Sequence, residues 1–251
     1  MLPLFFGTTG RELYGVFHAA VSLGHAGRGV VFCNPLPHEA ITAHRAYRLL
    51  ADSLARERIH CLRFDYLAIG DSAGESQDMN VAAHVEDISA AIDELKAFSG
   101  VRAVYLVGMR IGALLALQAA KSRDDVAGVI AWEPVLHGPA YRNELIAEAS
   151  PSSPGYWDIG GLAIAEHNLD TVGALELPGV LQGVNCPVGL IVSRHHPEFD
   201  AIQPMIERGE LRCRSEIVDD ALPWKADSII GAAPIPAHAT SVIKSWLTSS
   251  I

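Results

Sequence analysis

The residues most able to do chemistry in this chain sit in one short run, Gly108-Met109-Arg110-Ile111-Gly112. Ala103-Val104-Tyr105-Leu106-Val107 before it is an apolar stretch of strand type, and Ala113-Leu114-Leu115-Ala116 after it suits a buried helix. Strand, sharp turn and helix, with a glycine two places either side of one displayed side chain, is the spacing of a nucleophile elbow. The glycines let strand and helix cross closely. Where such an elbow displays serine, this one displays Arg110, which stays protonated and cannot attack a carbonyl. An arginine at a helix N-terminus is a planar, two-pronged donor for a carboxylate, a phosphate or a developing oxyanion. An internal ion pair with Glu133, Glu39 or Asp71 is the other reading, because a buried, unpaired arginine costs on the order of several kcal/mol.

The surrounding pattern predicts the elements that carry these groups. Leu2–Phe6 and Arg11–Ala20 read as an opening hairpin around Gly7-Thr8-Thr9-Gly10. Gly29–Cys33 and Cys61–Phe64 are compact apolar runs, hence central strands, and Val126–Trp132 and Val188–Val192 repeat the type. Between them, helical periodicity covers Thr42–Arg58, Asn80–Phe98 and Phe199–Arg208. Asn34-Pro35-Leu36-Pro37-His38-Glu39 is expected to be a loop that its prolines keep from becoming helix at once. Strands alternating with helices imply right-handed crossovers and a mostly parallel sheet covered on both faces, an α/β architecture. The alternation breaks from His137 to about Gly183. We therefore expect a core of residues 1–136 and 184–251, with 137–183 inserted as a lid containing helices at Tyr141–Ala149 and Leu162–Leu175, and a loop over Pro151–Gly155. A strand at Cys213–Val218 and a helix from Pro236 through Leu247 close the chain.

In such a sheet the loops at the C-terminal strand ends converge on one crevice. By that topology Asn34, His38, Glu39 and His44 arrive from the first central loop, and Asp71 and Ser72 from the second. Arg110 and Met109 come from the elbow, Trp132 and Glu133 from the next strand, and Trp224 from the last loop. Arg110 would hold charge, with Glu39, Asp71, Glu133, His44 or His38 moving a proton. Ser72 is a replacement nucleophile, or alternatively a turn and capping residue with Asp71. Asn34, His38, Met109, Trp132 and Trp224 would form the substrate-binding wall. A serine triad cannot be rebuilt around this elbow, because its first member is missing. Glu198 arrives late for the acid and more naturally begins a helix, and His238 likewise reads as a helix-start residue.

Four blocks carry a family resemblance. They are Phe32-Cys33-Asn34-Pro35 through Glu39 to His44-Arg45; Leu62-Arg63-Phe64-Asp65-Tyr66 to Gly70-Asp71-Ser72-Ala73-Gly74; Gly108 through Ala113; and Ala131-Trp132-Glu133-Pro134-Val135. Together they resemble the α/β-hydrolase family associated with exosortase systems, and related hydrolase-like proteins found beside acyl-assembly pathways. The resemblance implies an α/β-hydrolase fold and acyl chemistry. It also implies that arginine at the serine position, and tryptophan at Trp224, are family features.

Three functions follow as expectations. The first is an enzyme acting on an ester, thioester or carboxylate-bearing small molecule without a serine nucleophile, by hydrolysis, elimination or cyclisation. The second is a pseudo-hydrolase that binds an acyl ligand or a partner protein without turnover. The third is an esterase using Ser72. The formal net charge of −10 argues against a nucleic-acid partner. Charged residues interrupt every apolar run, so no membrane span is expected, and Met1–Gly10 lacks the basic region of a secretory signal. A cytoplasmic protein is the expectation, with a homodimer possible in principle. The four cysteines, Cys33, Cys61, Cys186 and Cys213, lack metal-ligand spacing, and no Gly-rich phosphate-binding motif is present, so neither a metal nor any other cofactor is expected.

Overall fold

A computed structural model describes residues 1–21, 27–193, 198–220 and 235–249. The opening hairpin is β1 (Leu2–Thr8) and β2 (Arg11–His18), turning at Gly10, whose φ of 82° suits glycine. Then come β3 (Arg28–Cys33), α1 (Pro37–Arg56), β4 (His60–Phe64), α2 (His84–Ser99), β5 (Ala103–Met109), α3 (Ile111–Lys121) and β6 (Val126–Trp132). The insertion contributes α4 (Gly138–Glu148), β7 (Ser150–Ser153), β8 (Tyr156–Ile159), β9 (Leu162–Ala165), α5 (Glu166–Gly173) and α6 (Leu177–Leu181). The chain returns through β10 (Val188–Ser193), α7 (Phe199–Glu207), β11 (Arg214–Val218) and α8 (Ala237–Ser249).

Eight strands form the main sheet in the order β1-β2-β4-β3-β5-β6-β10-β11. β1 and β2 pair antiparallel, as do β2 and β4, and all later pairings are parallel. Strands covered on both faces read as continuous apolar runs, which explains the buried stretches Val30–Cys33 and Val104–Met109. α1 and α8 pack on one face, where Tyr47, Met109, Trp132 and Trp246 share a core. α2 and α3 cover the other, around Leu62, Leu106, Ile88 and Leu114.

Three local expectations are corrected. α1 begins at Pro37, five residues earlier than its periodicity suggests, because a first-turn proline lacks only an N–H that the helix leaves unpaired anyway. Leu162–Leu175 is not one helix. Leu162–Ala165 is β9, paired antiparallel with β8 across the Gly160-Gly161 turn, where both φ angles are positive; α5 starts only at Glu166. The stretch read as a loop around Pro151 supplies β7, so the insertion carries its own three-stranded sheet, β7-β8-β9. No helix among the described residues is long and apolar enough to cross a membrane.

Candidate active site

β5 delivers the chain to the elbow and α3 takes it away at once, leaving Arg110 with φ 52° and ψ −124°. That backbone is strained for a non-glycine residue, by about 1–3 kcal/mol. The flanking glycines are sterically required. A Cβ on Gly108 would lie 2.5 Å from Ala113 Cα, and one on Gly112 would lie 2.3 Å from the Asn34 carbonyl oxygen.

The Arg110 side chain is held from three directions and is 8% exposed. Its Nε donates to Glu39 Oε1 at 2.9 Å, from the first turn of α1. Its Nη2 lies 3.4 Å from Glu144 Oε2, and its guanidinium stands 4.8 Å from the Tyr141 ring centroid, both groups belonging to α4. The Tyr141 hydroxyl donates to Glu39 Oε2 at 2.7 Å and completes the set. Burial opposes the charge on Arg110, but Glu39, Tyr141 and Glu144 together outweigh it and raise the arginine's pKa. Of the three carboxylates proposed as internal partners, Glu39 makes the contact.

Glu133 follows β6 and is 2% exposed, with a left-handed φ of 45°. Burial lifts its carboxyl from an ordinary 4.5 to about 7, while hydrogen bonds from Ser193 and the charge of Arg110 pull the other way. A buried carboxyl poised near neutrality is a common property of acid–base sites. By strand order Glu133 lies on the β6 side of the elbow.

A cavity of about 750 Å³ opens on the other side, between α1, β2, the loops after β3 and β4, and strand β9 of the insertion. Pro37, Ala40, Ile41 and His44 line it from one stripe of α1, at helical spacing. Asn34, His44 and Asp71 thus line the same cavity, as do Leu162 and Ile164 of the insertion. Burial, then the charges of Arg63 and Arg48, lower the pKa of His44 and favour its neutral imidazole. The Asn34 amide donates to the Phe64 carbonyl at 2.7 Å, which fixes this wall against the end of β4.

Other expected site residues lie elsewhere. The Ser72 hydroxyl donates to the Asp65 carbonyl at 2.7 Å and accepts from the Tyr14 amide at 2.9 Å, so it staples the β4 loop to β2 and is off the cavity wall. Met109 and Trp132 are 0% and 1% exposed and pack in the α1–α8 core, because strand alternation turns them beneath the crevice. His38 packs under the insertion, with its Nδ1 buried and unpaired, and a Cβ on Gly160 would meet His38 Cβ at 2.6 Å. Trp224 falls outside the described residues. Glu198 immediately precedes α7, and His238 lies in the first turn of α8, its N–H on Asp220 Oδ1 at 3.2 Å. Sequence reasoning missed Tyr141 and Glu144, whose i, i+3 spacing puts them on one helix face without revealing what that face meets. It also missed Arg63 on the cavity wall, which read as an ordinary strand residue.

Comparison with known proteins fits this architecture. The model of a family described as serine aminopeptidase, S33, matches residues 36–153. No curated protein sequence matches the chain. Among solved structures, Est1E from Butyrivibrio proteoclasticus with ferulic acid bound superposes with a TM-score of 0.78 at 14% identity, over 98% of each chain. DcsB in complex with its substrate analogue gives 0.72 at 14% identity, over 100% of this chain and 99% of that one. The Pyrococcus furiosus esterase Pf2001 gives 0.66 at 16% identity, over 99% and 90%. The class of the molecule is thereby fixed: it has the α/β-hydrolase fold, of the type found in esterases. Its elbow nevertheless carries arginine.

Proposed function

We propose that the protein is an enzyme acting on a small acyl compound (an ester, a thioester or a carboxylate-bearing molecule) without a serine nucleophile. The observation that carries this reading is the cavity that His44 lines together with Asn34 and Asp71, beside an elbow whose arginine is already paired with Glu39. His44 is the proton-moving group in this reading, activating water or abstracting a proton from the ligand. Arg110 is the latch between elbow, α1 and α4, and the 137–183 insertion is the lid over the cavity. The acyl class is supported by the esterase neighbours, by ferulic acid in one of them, and by the resemblance to exosortase-associated hydrolases.

His44→Gln tests this on a panel of p-nitrophenyl esters and acyl thioesters. Turnover is expected to drop about 100-fold or more, the scale of a lost general base. In the unsubstituted protein, protonating His44 removes the base, so kcat/KM should fall as pH drops through an apparent pKa below 6.5, with a plateau above it. Unchanged turnover in the variant would overturn the role of His44. A second reading, ligand binding without turnover, is favoured by the three-sided engagement of Arg110 at the point where this fold mounts its nucleophile. Saturable binding of acyl probes with no product from any of them would select it.

A further inference from the structure

We propose that Arg63 anchors the carboxylate of an amphipathic acyl ligand in this cavity. The inference rests on the reading that the cavity is the acyl site, and it assigns the anion-holding role to Arg63 in place of Arg110.

Arg63 lies near the end of β4 on the face toward α1, lines the cavity, and is 8% exposed. Its Nε donates to His18 Nε2 at 3.0 Å, and His18 Nδ1 lies 2.8 Å from Asp52 Oδ1. The two contacts set the tautomer. His18 accepts through Nε2, so its proton is on Nδ1 and is given to Asp52. Burial, then the charge of Arg63, lower the pKa of His18, consistent with a neutral ring. The relay aims the guanidinium without neutralising it through a direct ion pair. Among the described residues, nothing hydrogen-bonds or ion-pairs with the two terminal nitrogens of Arg63. Asp52 already accepts from His18, and Asp65 accepts from the Asp71 amide at 3.2 Å. Burial accordingly pulls the pKa of Arg63 down, beyond what Asp52 and Asp65 restore. A buried arginine with its planar fork open to a cavity matches a carboxylate.

The rest of the wall narrows the ligand further. Ile41, Ile69, Met79, Leu162 and Ile164 give an apolar lining for an alkyl or aryl body. Asp65, Asp71 and Glu75 stand on the same wall and repel a second negative charge, which disfavours phosphate. The ligand class is therefore a monocarboxylate with an apolar body.

Calorimetric titration with 4-phenylbutyrate and with uncharged 4-phenylbutan-1-ol tests this at neutral pH. The acid should bind roughly ten- to a hundredfold more tightly than the alcohol. Arg63→Gln should remove that preference, and Arg63→Lys should keep part of it. Equal binding of acid and alcohol to the unsubstituted protein would overturn the anchor and leave the cavity reading standing, a comparison that needs no variant to fold. Displacement of the acid by equimolar inorganic phosphate would overturn the carboxylate class. Ile164→Trp narrows the cavity from the insertion side and should weaken both probes. If neither probe binds the unsubstituted protein at millimolar concentration, the anchor and the acyl site fail together.

Discussion

Arg110 and Glu39 form a buried ion pair, and such pairs are weak net stabilisers because desolvating both charges offsets most of their attraction. Breaking one is a different matter. Arg110→Ala leaves Glu39 buried with only Tyr141 to satisfy it, and should destabilise the fold by about 3–5 kcal/mol. The double variant Glu39→Gln/Arg110→Met removes both charges and should cost clearly less than the single variant. Denaturant unfolding of the three proteins measures the difference, and equal losses would show that the pair does not act as a unit. The arginine itself was legible in the sequence, since G-x-R-x-G has the spacing of an elbow whatever its central residue. Its partner was not. Three carboxylates were available, and Glu39 was selected by an early helix start at Pro37 that sequence periodicity places five residues later. Ser72 looks reactive for its glycine-flanked loop, yet its hydroxyl is taken up by the Asp65 carbonyl of that loop and the Tyr14 amide of β2.

Among the elements, residues 137–183 meet the core through Tyr141 and Glu144 at the elbow, through buried apolar residues such as Leu145, Ile164 and Leu169, and through Asn168. Asn168 on α5 is 1% exposed; its Oδ1 accepts from the Val81 amide at 2.9 Å and its Nδ2 donates to the Met79 carbonyl at 2.8 Å. Met79 lines the cavity, so this clamp ties α5 to the cavity wall. Asn168→Leu strands two buried backbone groups and should destabilise by about 2–4 kcal/mol. Limited proteolysis should then cut first within 137–183, with the core fragments surviving; simultaneous loss of core and insertion would contradict a separable clamp. Within this region the apolar pattern is ambiguous. Leu162-Ala163-Ile164-Ala165 is apolar throughout and suits either helix or strand; pairing with β8 across two glycines decides for strand. The parallel strands were far more legible, because burial on both faces leaves continuous apolar runs that little else imitates.

At the scale of the whole molecule, an unbroken eight-strand order and a strained, glycine-flanked elbow persist with a cation at its tip. The fold keeps its crevice, while the position from which a nucleophile would attack carries an arginine held between two helices. Fold class could be read from strand–helix alternation and the elbow. The cavity could not, since it is lined from four separate stretches of chain whose faces only packing decides. Its position, on the β4 side of Arg110, directs attention to His44 and Arg63. Intact-protein mass spectrometry during turnover of an acyl thioester tests the central claim most directly. Product should accumulate while the protein retains its unmodified mass at every time point. An acyl adduct that forms and decays on a serine, at Ser72 or any other position, would contradict it.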